Sequence, residues 1–332
     1  MRGFGVDKVD NLLEVRNLTA TLTLKDGQEV APVDNVSLSV PRGKTVGLVG
    51  ESGCGKSMTA RSIMGLLDSG IRVSDGSIVF DDQELTALSE KEMRAIRGKR
   101  IAMIFQEPMT ALNPSIPVGK QVREAILLHE KVSRAEAKER VVEMFKQVGI
   151  PEAERCYKAY PHQLSGGLRQ RICIAMAMVC DPDFLIADEP TTALDVTVEA
   201  QILKLMRELQ EKKGTSILMI THNLGVVATI CDEVNVMYAS QIVEHATKEE
   251  LFKNTLHPYT RGLMSAIPRI HGNREHDLFT IKGVVPPLGR QPAGCRFCDR
   301  CPFADDRCRS QEPQLEDAGN GHLVRCFKYR EV

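Results

Sequence analysis

The 332-residue chain has no excess of charge of either sign: 43 Lys and Arg stand against 44 Asp and Glu, for a formal net charge of −1. That balance leaves no electrostatic footprint for nucleic acid. Long hydrophobic runs are also missing. The longest, Ile172 to Cys180, falls far short of the roughly 20 residues that span a bilayer. In the stretch Met1-Arg2-Gly3-Phe4-Gly5-Val6-Asp7 charges interrupt any apolar segment, so no secretory leader is expected. Any membrane role is expected to come through partners. What is present, 42% hydrophobic and 26% charged residues, suffices to bury a substantial core and predicts one large domain plus a smaller one.

The most informative stretch is Gly50-Glu51-Ser52-Gly53-Cys54-Gly55-Lys56-Ser57, which fits the phosphate-loop pattern G-x-x-x-x-G-K-S/T and follows the apolar segment Val46 to Val49. Glycines there let successive backbone N–H groups turn toward the β- and γ-phosphates. Lys56 supplies a mobile cation, and the Ser57 hydroxyl can complete a Mg²⁺ shell at the start of the following helix. A nucleoside triphosphate is the implied ligand. Further along, the apolar segment Phe184-Leu185-Ile186-Ala187 ends in Asp188-Glu189-Pro190. Two acids at one strand end can divide the work of phosphoryl transfer, Asp188 orienting the metal and Glu189 activating the attacking water.

Before those acids stands Leu164-Ser165-Gly166-Gly167-Leu168-Arg169-Gln170-Arg171, in which a hydroxyl, glycine N–H groups and a helix N-terminus face one way, as an anion site does. With the phosphate loop and the acidic pair, this run resembles the ATP-binding cassette (ABC) ATPases. Gln106 after Ile101 to Phe105, Ala193-Leu194-Asp195, and His222 after Thr221 complete the resemblance in the expected order. It implies ATP and Mg²⁺ as ligands, with Ser57, Gln106 and Asp188 around the metal and His222 on the γ-phosphate. It also implies a head-to-tail pair, in which Ser165, Gly166 and Gly167 close the phosphate loop of a partner subunit, with Asp195 alongside the nucleotide. One chain then contributes two half-sites.

Strand and helix signals alternate, which predicts an α/β fold with a mostly parallel sheet. Strands are expected at Leu12 to Val15, Val36 to Val40, Thr45 to Val49, Ile101 to Phe105, Phe184 to Ala187 and Ser216 to Ile220. Ser89 with Glu92 reads as a capping box on a segment ended by Gly98. Ser133 with Glu136 reads as another, with Ala137, Val141, Met144, Phe145 and Val148 as the apolar face and Gly149 and Pro151 as the stop. A third helix is expected over Leu168 to Val179. By the resemblance this is a phosphate-loop nucleotide-binding domain over 1–263, with a RecA-like core and a helical subdomain at about 107–180 that meets membrane subunits, followed by a small Cys-rich extension over 264–332.

Two further runs resemble the oligopeptide, dipeptide and nickel branch of ABC importers: Glu107-Pro108-Met109-Thr110-Ala111-Leu112-Asn113-Pro114, and His257-Pro258-Tyr259-Thr260-Arg261-Gly262-Leu263. By themselves they read as a proline-bounded loop and a helix start with Pro258 near its first turn. The branch implies a subunit on the cytoplasmic face of the membrane that energises uptake of peptides or a related solute such as nickel. Its implied partners are a paralogous ATPase, two transmembrane permeases and an extracytoplasmic binding protein. A soluble cassette ATPase of DNA repair or translation is the other class. It would normally carry two cassettes or a coiled-coil insertion, and this chain has neither.

After about Pro268 the chain becomes rich in proline and glycine and holds half of its ten cysteines: Cys295, Cys298, Cys301, Cys308 and Cys326. Without a secretion signal such clustering argues for metal rather than disulfides. The spacing Cys295-x5-Cys301-Pro302-x5-Cys308, with Cys326 further on, is similar to the 4Fe–4S site of some peptide-importer ATPases, which implies those four as ligands. Cys295-x2-Cys298-x2-Cys301-Pro302 also echoes a ferredoxin spacing, and tetrahedral thiolates suit zinc equally well. Cys54, Cys156, Cys173, Cys180 and Cys231 read most simply as buried small hydrophobes, with a reactive thiol as the alternative for Cys54, which lies within the phosphate loop. Departures from the family pattern are few. No aromatic residue lies between Phe4 and Phe80, so Leu22 is expected where an aromatic would stack on adenine; Asn223 follows His222 in place of Asp, and Ser240 stands at a turn where glycine is usual.

Overall fold

The computed structural model describes residues 10–24, 27–106, 111–192, 194–266 and 281–331. Met1 to Val6, Glu107 to Thr110, Ala193 and the start of the tail near Pro268 therefore lie outside the described residues. In chain order the strands are β1 (Asn11–Thr23), β2 (Glu29–Pro41), β3 (Thr45–Val49), β4 (Ile71–Phe80), β5 (Gln83–Glu84) and β6 (Ile101–Ile104). They continue with β7 (Phe184–Asp188), β8 (Ser216–Thr221), β9 (Glu233–Tyr238), β10 (Gln241–Thr247), β11 (Glu316–Asp317) and β12 (Leu323–Val324).

Two sheets result. The first is antiparallel, in the order β2-β1-β4-β5; the second runs β11-β12-β10-β9-β3-β8-β7-β6, and its β9-β3-β8-β7-β6 portion is parallel. The parallel strands are buried on both faces, as their near-continuous apolar runs require. Phe184, Ile186, Leu218 and Ile220 face the antiparallel sheet, whereas Leu185, Ala187, Ile217 and Met219 face the helices. The antiparallel sheet was only half legible. Its strands β1 and β2 extend well beyond the expected Leu12 to Val15 and Val36 to Val40, because register shifts in the β1–β2 pairing blur the alternation. The Ile101 strand stops at Ile104, and Phe105 is 46% exposed.

Helix boundaries follow their caps. Ser89 and Glu92 form the full capping box of helix Glu90–Ile96. Of the second expected box only one arm is made among the described residues: Ser133 Oγ accepts from the Glu136 N–H at 3.1 Å at the head of helix Arg134–Gln147. The apolar face of that helix is buried as expected. The helix after Ser165 runs Gly166–Met178, two residues earlier than expected, because the Ser165 hydroxyl already caps it by accepting from the Leu168 N–H. Among the described residues no helix is long and apolar enough to cross a membrane.

The tail packs onto the core sheet. β12 pairs with β10, and the buried Glu244 of β10 accepts from the Leu256 N–H at 2.7 Å and the His257 N–H at 3.1 Å while meeting His322 Nε2 at 2.8 Å. One carboxylate thus joins the core, the start of helix Pro258–Ser265 and the tail. Arg296 of the tail reaches Asp34 and the Ala239 carbonyl, and Arg325 donates to the Ile242 carbonyl at 3.0 Å.

Candidate functional site

Four of the five parallel strands of the core deliver site residues at their carboxyl ends, where ligands of open α/β sheets bind. The phosphate loop follows β3, Gln106 follows β6, Asp188 ends β7, and His222 follows β8. The glycines of the loop are demanded by close approach. A Cβ on Gly50 would stand 2.1 Å from the Met237 carbonyl oxygen; one on Gly55, at φ +109°, would stand 2.4 Å from that of Pro32. Ser52 and Gly53 form the exposed crest. Lys56 is buried, and its ammonium donates to the Gly50 carbonyl at 2.8 Å and the Glu51 carbonyl at 3.0 Å. The loop holds its own cation in place. Cys54 is fully buried and burial raises its thiol, which fits the small-hydrophobe reading and not the alternative of a reactive thiol.

Glu189 is the centre of a converging set. Its Oε1 meets His222 Nδ1 at 3.0 Å, and its Oε2 accepts from Gln106 Nε2 at 3.2 Å and from Thr192 Oγ1 at 2.8 Å. Burial alone would raise this carboxyl, but the bonds from His222 and Thr192, with the His222 and Lys56 charges, hold it below the usual glutamate range. It is ionised at neutral pH and able to accept a proton. Glu189 also sits at φ +47°, a left-handed conformation unfavourable for a side chain with a Cβ, which aims the carboxylate outward from the strand end.

Asp188 differs from its neighbour. It is buried, and burial pushes its carboxyl up against the opposing effect of a Ser57 hydroxyl bond. Its Oδ1 is buried with no hydrogen-bond partner, an orphaned anionic oxygen beside the Ser57 hydroxyl. That orphan fits a cation bound together with a triphosphate. Among the described residues no three His, Cys, Asp or Glu side chains are grouped to hold a metal ion unaided, so the phosphates would have to complete the shell.

The Ser165-Gly166-Gly167 stretch, the signature of the resemblance above, is placed differently. Ser165 and Gly166 are exposed, a Cβ on Gly166 would meet nothing within 4 Å, and no hydrogen bond joins Ser165, Gly166 or Gly167 to residues 50–57 among the described residues. Asp195 is exposed at the head of helix Val196–Lys213 and makes no side-chain cap there. The signature helix is nevertheless tied to the acidic end of β7, since the buried Gln170 amide donates to the Pro190 carbonyl. Asn223 caps helix Leu224–Ile230 by accepting from the Gly225 N–H at 2.9 Å, leaving His222 presented on the strand side. Leu22 is half-buried in β1.

A model of the ABC transporter family matches residues 33–192, and one of the oligopeptide/dipeptide transporter C-terminal region matches residues 243–308. The oligopeptide transport ATP-binding protein AppD of Bacillus subtilis is 50% identical over 97% of this chain and 98% of its own length. The chain belongs to the ABC transporter ATP-binding proteins. Within that family the oligopeptide transport ATP-binding protein OppD of Escherichia coli is 48% identical, over 97% of this chain and 94% of its own. Among solved structures, the dimeric MJ0796 bacterial ABC transporter cassette superposes with a TM-score of 0.64 at 26% identity, covering 71% of this chain and 98% of that one. CbiO1 from Clostridium perfringens, part of the CbiONQ ABC transporter complex, gives 0.63 at 30% identity, covering 73% and 91%.

Three contacts at this site were not read from the sequence. Thr192 stands three residues after Glu189, so its spacing could have flagged it. Tyr259 lies in the quoted His257 run, yet nothing local shows that its hydroxyl accepts from the Glu51 N–H at 2.9 Å. Arg300, which forks onto the Glu51 carboxylate, has no local signal at all.

The five tail cysteines line one small cavity together with His257, Phe297 and Phe303. Burial pushes the Cys295 thiol up to about 12 and Cys326 to about 11, and raises Cys298, Cys301 and Cys308 as well. The Cys298 sulfur is directed to Asp299 Oδ1, 3.6 Å away, whereas Cys326 Sγ accepts from the Lys328 N–H at 3.4 Å.

Proposed function

We propose that this chain is the ATP-hydrolysing subunit that energises uptake of oligopeptides or dipeptides through a membrane importer. The observation that carries the chemistry is the convergence of Gln106, Thr192 and His222 on an ionised Glu189 at the strand end beside the phosphate loop. Glu189 takes a proton from the attacking water as its oxygen bonds to the γ-phosphorus. The bond from that phosphorus to the bridging oxygen breaks, and ADP and phosphate leave. His222 orients the carboxylate and reaches the γ-phosphate, and Lys56 exchanges its loop carbonyls for phosphate oxygens. Mg²⁺, held by Ser57, Asp188 and Gln106 with the phosphates, would neutralise the charge of the triphosphate. Adenine would lie against Leu22.

The exposed Ser165-Gly166-Gly167 helix start would close over the nucleotide of a second ATPase subunit, a paralogue, while the helical segment at about 107–180 meets two permease subunits on the cytoplasmic face of the membrane. An extracytoplasmic binding protein would deliver the solute. Support for the solute class comes from the peptide-transport relatives and the match over residues 243–308. In the assembled complex, Glu189→Gln should keep MgATP affinity while turnover falls at least about 100-fold. Near-normal turnover would remove Glu189 from the role of base. Uptake of labelled di- and oligopeptides by the same complex tests the solute. Uptake of nickel without peptide would shift the reading to the nickel importers, and failure to co-purify with polytopic subunits would favour a soluble cassette ATPase.

A second reading concerns the tail. Cys295, Cys301, Cys308 and Cys326 would hold a 4Fe–4S cluster. The support is their shared apolar cavity and the engagement of Cys298 with Asp299 instead. The cavity of about 10 Å³ has room for one water, so the thiols must withdraw to admit a cluster, and zinc on the same four thiolates is the alternative. Anaerobically prepared protein should contain about four irons per chain and lose them with Cys308→Ser but not Cys298→Ser. Stoichiometric zinc in place of iron would overturn the assignment.

A further inference from the structure

The phosphate loop is gripped from outside the nucleotide-binding core. The Arg300 guanidinium forks onto both carboxylate oxygens of Glu51, at 2.8 Å and 3.1 Å, across a sequence separation of 249 residues. The same loop residue gives its backbone N–H to the Tyr259 hydroxyl at 2.9 Å. Glu51 is therefore held at both backbone and side chain, and each holder lies C-terminal to the core strands. Arg300 is itself fixed. Its side chain is 7% exposed, its Nε donates to the Lys282 carbonyl at 3.0 Å, and its guanidinium lies 5.7 Å from the Tyr238 ring centre. Tyr238, Tyr259 and Phe297 pack on one another with ring centres 4.7–5.5 Å apart, which locks the two clamps into one unit.

A buried arginine spent on a loop glutamate has no evident need as a tether. Arg296 and Arg325 already anchor the tail, and they bond to groups outside the phosphate loop. The particular effect of the Arg300 fork is on the loop. Glu51 precedes the glycine turn, and its carbonyl is one of the two that hold the Lys56 ammonium, so freeing Glu51 loosens the cradle that must face the phosphates.

We propose that Arg300 is a positioning residue for the phosphate loop, acting through Glu51, and that the thiol-lined tail thereby sets the affinity of the nucleotide site. In the chain Arg300 lies between Cys298 and Cys301, two of the residues that line the thiol pocket, and it shares an adjoining cavity with Phe297 and Cys301, so the clamp is carried on the same short segment as those thiols. The proposal rests on the reading of the loop as an ATP site. In the sequence order of its residues it is invisible, because the clamp and the loop meet only in the fold.

The test is a double-mutant cycle on the full chain, reading MgATP affinity by displacement of a fluorescent ATP analogue, with thermal unfolding measured on each variant. Arg300→Met should raise the ATP Kd by on the order of tenfold, as loss of a bidentate charge-assisted pair allows. Arg300→Lys, which keeps the charge without the fork, should fall between wild type and Arg300→Met, and it serves as the folded reference if the methionine variant is unstable. In a Glu51→Gln background the Arg300→Met change should alter Kd by less than about twofold. In the assembled complex KM for ATP should rise while kcat at saturation changes by less than about threefold, since Arg300 touches no reacting atom. Unchanged ATP affinity in folded Arg300→Met or Arg300→Lys, or the same tenfold loss in the Glu51→Gln background, would overturn the proposal. A wild-type chain that binds no MgATP would overturn the ATP reading itself.

Discussion

The phosphate loop and the Ser165-Gly166-Gly167 stretch each combine glycine N–H groups with a helix N-terminus, yet the fold treats them oppositely. The loop is wedged between Pro32 and Met237, internally bonded through Lys56, and gripped by Tyr259 and Arg300. The signature stands on the surface, with a hydroxyl satisfied by its own helix and open space beside Gly166. An anion site that must work alone is preorganised by the chain carrying it. One that is completed by another molecule can be left exposed, because the partner supplies the missing wall.

The largest effects should separate these two regions. Lys56→Ala should weaken MgATP binding by the isolated chain more than about tenfold, whereas Gly166→Asp, which adds a carboxylate where nothing is in contact, should leave that affinity within about twofold. In the assembled complex Gly166→Asp should still cut turnover about 100-fold if, as proposed, this helix start closes over the nucleotide of a second subunit, because the new charge would then oppose that γ-phosphate. Weak ATP binding by the isolated Gly166→Asp chain would erase the contrast.

A smaller effect tests the support behind the loop. His257 starts the helix that carries Tyr259, and burial depresses its imidazole to about 4 against an unfolded value near 6.5. Above pH ~6.5 both states are neutral and the native state has its full stability; as pH falls toward 4 only the unfolded chain takes up the proton, and stability is lost. Between pH 7 and pH 5 the loss from this group should be about 2 kcal/mol. His257→Asn, which keeps a capping oxygen without a titrating ring, should remove that part of the pH dependence in urea unfolding. Identical pH profiles for the two proteins would mean that His257 takes up its proton equally in the folded and unfolded chain.

The smallest effect lies at the turn between β9 and β10. Ser240 adopts φ +75° in the left-handed region and gives its N–H to the Cys54 carbonyl at 2.9 Å, so this strained turn also supports the loop. Ser240→Gly should relieve the backbone cost at the same hydrogen bond and raise stability by about 0.5 kcal/mol, the steric relief exceeding the added flexibility of the unfolded chain. A drop in the unfolding midpoint would show that the serine side chain contributes packing that outweighs the strain.

The motifs of this chain were legible because their chemistry is local. The phosphate loop, the acidic pair and the Ser89 cap depend on spacings of a few residues, and such spacings fix geometry once a strand or helix start is granted. Four of the five parallel strands were legible for a related reason, since burial on both faces demands unbroken apolar runs, as in β3 and β7; β9 was missed because Glu233 and Asn235 interrupt its run. The antiparallel sheet, with its shifted registers, carried a fainter signal. What only the tertiary structure decided are the meetings of residues far apart in sequence: Gln106, Thr192 and His222 on one carboxylate, five cysteines around one cavity, and Arg300 with Tyr259 on Glu51. The choice between a buried and a reactive Cys54 was likewise decided only in the fold, since the elements that bury it come from distant parts of the chain. Spacing along a chain specifies local backbone geometry, but burial and charge pairing depend on which surfaces are brought together, and those are chosen by packing of the whole domain.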